Sequence, residues 1–414
     1  MVMLSELLHF RVADAHGESN RLTDLVIGQL DSDHPTVTHL LYRRNQHPEQ
    51  ALFWKEVKKL DRASRAIRVE SFDRSQSGEQ LGQVVRLRHD VLDALIIDLQ
   101  NRRVTRANDL WLNEDGTNLQ LSAADTGGRA ILRRLTQGWF RGIVRKNLYD
   151  WKYIEFLRGD PRAVKAGANY RGRIVHLPPG EIAHLTTAVP YLHAAELLEL
   201  LPEQLAADTL EVMSPERQLQ VFEELDEQRA LELLKRMAPD LAADVIGRLD
   251  TKTTQRFLNR LPKAAGERIV ELLRYPEHSV GGIMSNDIVT VSPKLTIGEA
   301  RKILREQLKE PDFIYFVYVV EDKPPHKLCG VLSLRQFLVA EDKQRIEEIM
   351  NPYLLVLSPL DSPQEAAYRL LNSQLAALPV VGKEGELLGT VTIDAAVSQV
   401  APRSWRAQAP RVFS

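Results

Sequence analysis

The sequence predicts a multidomain α+β protein in three parts, and three observations predict it. The first ~130 residues carry short alternating apolar runs parted by polar turns, the pattern of one or two small β-barrels. A middle region breaks about every twelve residues between helical apolar patterns, as an all-α helical-repeat solenoid does. The last third runs strand–helix–strand–strand–helix and repeats that order about sixty residues on, giving a paired α/β unit. A chain of 414 residues exceeds one ordinary core, so several domains are expected.

Composition sets further bounds. Apolar residues make up 44%, charged residues 27%, and the net charge is -2. That balance argues against a dedicated nucleic-acid binder. The single cysteine, Cys329, excludes an internal disulfide framework and a multi-thiolate zinc site. It lies in the apolar run Leu328-Cys329-Gly330-Val331-Leu332 and reads as a small buried side chain. No segment approaches the ~20 apolar residues of a membrane helix. Met1–Arg11 lacks the features of a secretory signal, so a soluble, cytoplasmic protein is expected.

Within the β-rich part, strands are expected at Leu22–Leu30, Thr36–Arg44, Phe53–Leu60 and Ala66–Phe72. The same grammar returns over Val91–Asp98 and Arg103–Leu112. It sets Asp14 and Asp24 against Asp98 and Asp109. Acids beside turns bond nearby backbone N–H groups, and these read as solvated turn-formers. The two segments, 1–85 and 86–135, resemble the PRC-barrel family, which implies an interaction module. Residues 136–173 form a basic connector, with eleven Lys or Arg between 131 and 173 against Asp150, Glu155 and Asp160. Its aromatics, Trp151 and Phe156 among them, are expected to pack on the barrel while the charges face water. Stacking on RNA or lying on an anionic membrane is the alternative for that connector.

Over 174–273 the breaks fall at Pro178-Pro179, Leu201-Pro202, Ser214-Pro215, Asp226, Ala238-Pro239, Asp250 and Leu261-Pro262. Proline suits the first helical position, and Ser214 or Asp226 suits the cap. Thr296-Ile297-Gly298-Glu299 has capping-box spacing and opens a helix to about Gln307. Strands at Phe313–Val320 and Cys329–Ser333 and a helix at Leu334–Val339 follow. The second copy has strands at Leu354–Leu357, Ala377–Val381 and Leu388–Thr392. Its first helix opens on Ser362-Pro363-Gln364-Glu365 and its last at Ile393. There is no Gly-rich phosphate loop, HExxH, paired cysteine or serine elbow, so no enzyme is expected. His176, His184 and His193, eight and nine apart, read as ordinary surface or core residues.

The run Tyr275-Pro276-Glu277-His278-Ser279-Val280-Gly281-Gly282-Ile283-Met284-Ser285 is similar to the joint of MgtE magnesium transporters. There it links a helical N domain to a CBS-domain pair. Phe316–Val320, Gly330–Arg335, Glu348–Pro352 and Leu378–Val381 carry the same likeness. The two glycines read as letting the chain turn between domains without a Cβ penalty. The resemblance implies an MgtE N-type domain over 174–273, one CBS domain over 280–340, a second over 341–402, and a tail from 403 to 414. It also implies a regulatory sensor that modulates a separately encoded MgtE-type or NRAMP-type divalent-cation transporter. A homodimer through the CBS domains follows from it, as does a cytoplasmic position at the inner membrane face. A ligand-insensitive scaffold, holding protein or RNA through the PRC-like barrels and the connector, is the alternative.

For ligands the resemblance implies Mg²⁺, bound by Asp208, Asp240 and Asp244 on the N-type domain and by Glu365 on the CBS side. Pro363, Gln374, Ala395 and Ser398 stand where the family has acids. For adenine nucleotide it implies Ser333, Gln336, Thr392 and Asp394. The acid that holds ribose is replaced in both copies, by Gln336 and Ala395, so binding is expected to be weak or absent. The chain ends after a proline-interrupted tail from Ala401 with no membrane domain, so transport is expected only with a partner.

Overall fold

Alternation shapes the N-terminal strands: along Ser19–Gly28, Leu22, Leu25 and Ile27 are buried while Ser19 and Arg21 face water. The computed structural model describes all residues except 31, 45–46, 83, 117, 136–146, 159–171, 308–313, 353 and 402–414. They form two units, residues 1–213 with 220–226, and residues 214–219 with 227–414.

The first unit opens with β1 (Val2–Met3), α1 (Leu4–Leu7), β2 (Arg11–Ala13), β3 (Ser19–Gly28), β4 (Thr36–Arg43), β5 (Gln50–Phe53), β6 (Val57–Asp61) and β7 (Ala66–Val69). It continues through β8 (Gln76–Ser77), β9 (Val85–Arg86), β10 (Leu95–Asp98), β11 (Arg103–Arg106), β12 (Asp109–Asp115) and β13 (Asn118–Asp125). Helix α2 (Gly128–Leu135), β14 (Leu148–Asp150) and β15 (Ile154–Leu157) close the β-rich part. A twelve-stranded sheet has the main order β1-β12-β13-β4-β3-β2-β7-β6, and a second sheet runs β11-β10-β15. One core gathers Leu4, Phe10, Leu25 and Leu40 with Leu110, Leu121, Trp151 and Phe156.

The duplicated grammar is built as an interlock. Lead strand β1 pairs not with its own half but with β12, Val2 opposite Leu112. Lead strand β9 pairs with β3, Val85 opposite Ile27. Asp24 accepts from the N–H of Leu25 and, across halves, from the N–H groups of Arg88 and His89. Asp109 accepts from the N–H of Leu110 and, across halves, from the Ser5 N–H and hydroxyl. Asp14 and Asp98 do form turns, accepting from His16 and Glu18 and from Gln100 and Asn101. None of the four is the solvated residue that the sequence suggested: Asp98 and Asp109 are 1% and 0% exposed. Burial pushes the Asp24 carboxyl up to about 6, against the three N–H groups that favour its charge.

Three strands differ from expectation for local reasons. The run 53–60 is split by a 3₁₀ turn at Trp54–Glu56, which buries Trp54; Trp151–Tyr153 repeats that turn before β15. Leu87–Val91 coils as a single wide helical turn, and β10 begins only at Leu95. The run 103–112 splits because the chain changes partners, β11 lying on β10 and β12 on β13. Of the basic connector, 136–146 and 159–171 lie outside the described residues. Its remainder enters the sheets, with Trp151 and Phe156 both 0% exposed.

Eight short helices follow: α3 (Pro179–Thr186), α4 (Tyr191–Leu200), α5 (Glu203–Glu211), α6 (Pro215–Glu224), α7 (Glu227–Arg236), α8 (Pro239–Gly247), α9 (Thr251–Arg260) and α10 (Lys263–Leu272). Each begins twelve residues after the last. Proline stops the preceding turn because the residue before it avoids the helical region. Where no proline stands, a polar cap takes its place, as when the Asp250 carboxylate accepts from the N–H groups of Lys252 and Thr253.

The second unit ends in two related α/β motifs. The first holds α11 (Val280–Ile283), β16 (Thr290–Val291), α12 (Ile297–Gln307), β17 (Phe316–Val320), β18 (Leu328–Ser333) and α13 (Leu334–Val339). The second holds α14 (Ile346–Ile349), α15 (Pro363–Ser373), β19 (Ala377–Val381), β20 (Leu387–Thr392) and α16 (Ile393–Val400). The expected strand at 354–357 is reduced to one parallel bridge, Leu357 to Val380. Here too the lead segments cross: Ser285 pairs with Thr390 in β20, and Asn351 with Val331 in β18. Glycine sits at both crossings. A Cβ on Gly389 would lie 2.6 Å from the Ser285 carbonyl oxygen, and one on Gly330 2.7 Å from the Met350 sulfur.

Thr296 and Glu299 make the reciprocal capping box of α12. At α15 the Ser362 hydroxyl accepts from the Glu365 N–H, but the Glu365 carboxylate turns away to Arg369 at 2.8 Å. Ser362→Ala is expected to cost about 1 kcal/mol, the usual loss of a serine N-cap, read as a lowered urea midpoint at unchanged slope. Cys329 is half-buried rather than buried, its thiol reaching back towards the Lys327 carbonyl at the strand's start.

Candidate cation-responsive site

In α8 the sequence Ala238-Pro239-Asp240 puts proline at the first helical position and an acid in the first turn, where the helix dipole favours negative charge. Asp244 follows one turn later on the same side. The apolar neighbours Ala242, Ala243, Val245 and Ile246 are buried and fix the helix's rotation. Asp240 keeps some surface exposure as a residue, yet its Oδ1 is sealed from solvent with no hydrogen-bond donor. The atom matters more than the residue average here, because the charge resides on the oxygens. Burial pushes this carboxyl up to about 7. Asp244 and Asp287 add repulsion, while its own backbone N–H and the Ser285 hydroxyl oppose the shift. Asp244 is pushed up to about 6 by burial and by Glu277, against the pull of Arg248.

The surrounding cations are already engaged. Arg248 is 3.0 Å from Glu277, and Arg268 is 3.2 Å from Asp287. Asn286 donates to the Arg268 carbonyl, while its own Oδ1 is buried without a partner. Ser285, Asn286 and Asp287 were absent from the sequence-derived site. They directly follow the Gly281-Gly282-Ile283-Met284 run, and an acid so close to a predicted domain joint was the signal to use.

The joint itself differs from expectation. Gly281 and Gly282 lie inside helix α11, with no positive φ at either. They do not serve as a flexible turn. A Cβ on Gly281 would lie 2.5 Å from the Tyr275 ring, and one on Gly282 would press closer still on the Pro276 carbonyl oxygen. Close approach is the requirement.

The other candidate residues are engaged in bonds of their own. Asp208 is on α5 in the first unit, accepting from Gln204 at 2.9 Å. Glu365 is held by Arg369 on α15. Ser333 and Gln336 do come together, as the capping box of α13; the Gln336 amide oxygen accepts from the Ser333 N–H and hydroxyl. Thr392 caps α16 by accepting from the Ala395 N–H, and Asp394 in the same turn raises the Tyr315 hydroxyl pKa by its charge, second to burial. Among the described residues, no group of three or more His, Cys, Asp or Glu stands close enough to hold a metal ion. A closed protein cage for a metal is therefore not formed by these residues.

Short helices at a twelve-residue interval, followed by paired α/β motifs with crossed lead segments, define a helical domain joined to a CBS pair. The family model for the MgtE intracellular N domain matches residues 177–278, and that for the CBS domain matches 280–342 and 346–401. The magnesium transporter MgtE of Thermus thermophilus is 36% identical over 239 residues, 57% of this chain and 51% of that protein. MgtE of Enterococcus faecalis is 34% identical over 130 residues, 31% and 28% of the two chains. A crystal structure of the cytosolic domain of the Mg²⁺ channel MgtE in complex with ATP aligns with a TM-score of 0.53 at 31% identity. It covers 58% of this chain and 98% of that one. Residues 177–401 therefore comprise an MgtE-type N domain followed by a CBS pair, the arrangement found in the cytosolic domain of the channel MgtE. The chain spans about half the length, or less, of the curated relatives it matches. Among the described residues no helix is long and apolar enough to cross a membrane.

Proposed function

We propose that this chain is a regulatory module that responds to Mg²⁺ and acts on a divalent-cation transporter of MgtE or NRAMP type. The observation that carries the reading is the pair Asp240 and Asp244. Two carboxylates one turn apart are desolvated, Arg248 divides its charge between Asp244 and Glu277, and Arg268 pairs with Asp287. Burial raises Asp240 to about 7 and Asp244 to about 6, and a hard dication that brings its own waters competes with the protons they take up on acidification. Asp208 and Glu365 belong to the same proposal as further ligands; Glu365 must first leave Arg369.

Adenine nucleotide has a poorer reception at Gln336, whose amide oxygen is closed into the Ser333 cap, than at Asp394 near Tyr315. Weak binding is the proposal. Homodimerisation through the CBS pair is supported by exposed apolar side chains on two of its helices, Leu338 and Val339 on α13 and Tyr368 and Leu371 on α15. A cytoplasmic position and a PRC-type N-terminal barrel complete the reading.

The test is a Mg²⁺ titration followed by limited proteolysis near Tyr275–Met284. Millimolar protection, lost in the Asp208, Asp240 and Asp244→Ala variant, is the expected result. Unchanged cleavage, with no thermal shift from ATP, favours a ligand-insensitive scaffold instead.

A further inference from the structure

The β2–β3–β4 face of the first unit carries a feature that cation sensing does not use. Arg11 lies directly opposite Arg21, and Arg21 directly opposite Arg43, so three arginines stand in one register row across three strands. Directly opposed residues share a face with Cβ atoms roughly 4.5–5.5 Å apart, where like charges destabilise the sheet. All three are exposed, and no carboxylate pairs with any of them among the described residues. The neighbouring Arg44 shows what the fold does elsewhere, since it pairs with Glu18 at 3.4 Å.

The row borders a cleft of about 580 Å³, lined by Arg21, Arg43, Arg86 and Arg88 with Asp24 and Glu49 in its walls. Both acids are occupied. Glu49 takes Arg86 at 2.9 Å and the Thr23 hydroxyl at 2.5 Å, and Asp24 takes three backbone N–H groups. The last two of those N–H groups belong to Arg88 and His89, so Asp24 anchors the turn that carries Arg88 to the cleft. Four arginines against two acids leave a surplus of two positive charges, and Arg11 flanks it. Guanidinium forks spaced along a concave surface match the oxygens of a phosphate group.

We propose that this cleft binds a phosphate-class anion, either free or as a phosphomonoester lipid headgroup. The bound anion relieves the repulsion along the row, which accounts for three unpaired arginines in a register that costs stability without it.

The probes are inorganic pyrophosphate, titrated calorimetrically into the full chain in low-salt chloride buffer with EDTA, and vesicles containing phosphatidic acid. Without divalent cation, a failure here leaves the Mg²⁺ reading untouched. Expected is saturable binding of at least one probe, weakened ten-fold or more by Arg21→Gln with Arg43→Gln. Binding to pyrophosphate alone identifies the free anion; vesicle binding competed by pyrophosphate identifies the headgroup. The ligand-free double variant should melt no lower than the wild type at low salt, since it loses only repulsion. Binding of neither probe, equal binding by the double variant, a lowered melting temperature, or retention of RNA that pyrophosphate does not compete would overturn the proposal.

Discussion

Asp240→Asn is expected to stabilise the protein at pH 8 by about 1–3 kcal/mol and to abolish most of its stability response to Mg²⁺. A carboxyl raised by folding contributes stability that is fully present below its unfolded value near 3.8. That contribution is lost as pH rises through about 7. Above pH 7 the wild type therefore keeps a desolvated charge with no hydrogen-bond donor on Oδ1. Asparagine removes the charge at nearly constant shape. The advantage of the variant should shrink as pH falls from 8 to 5, where the wild-type carboxyl is protonated. Denaturant unfolding at pH 5 and pH 8, with and without Mg²⁺, reads all of this. A variant less stable than the wild type at pH 8 would show that the charge is compensated and the switch is absent. The same linkage makes Mg²⁺ binding release protons between pH 6 and 7, visible as a buffer-dependent heat.

Gly282→Ala is expected to be more damaging, about 3–5 kcal/mol in unfolding free energy, in the range of severe packing faults. The added methyl would collide with the Pro276 carbonyl oxygen and sit 3.0 Å from that of Glu277, both backbone atoms that no rotamer change can move aside. Gly282 is helical, so alanine carries no φ penalty there, and any loss measures contact alone. The Gly281→Ala comparison is informative, since its obstacle is the Tyr275 ring, a side chain. Were Gly282→Ala tolerated within about 1 kcal/mol, the close packing of the joint would not be what requires glycine.

These two positions show what was readable in advance and what was not. Asp240 and Asp244 were pointed to by the resemblance, and their four-residue spacing puts them on one helical face, because helical period and first-turn acids are local properties. The caps at Thr296 and Ser362 were equally local and both are present. The glycines were singled out for the wrong reason, since chain freedom can be judged from one residue but close approach depends on a neighbour six residues away. The joint's Ser285-Asn286-Asp287 segment was overlooked for a related cause: only the fold makes it a neighbour of α8. Glu365 followed the capping pattern in sequence, yet Arg369, an i+4 cation, competes successfully for its carboxylate. In the N-terminal region the duplication was legible from Asp14, Asp24, Asp98 and Asp109, but which half each lead strand pairs with was not.

That exchange of lead strands bears on how the protein is made. A ribosome delivers the N-terminus first, at roughly 5–20 residues per second. Strand β3 must wait for Val85 to cover its edge, and Val2 must wait for Leu112. For seconds the nascent chain holds an open, apolar strand edge that only later synthesis can close. Such an edge is a template for pairing with a neighbouring chain. The exchange that ties the two halves into one core thus also ties the closing of the first half's strand edges to the arrival of the second.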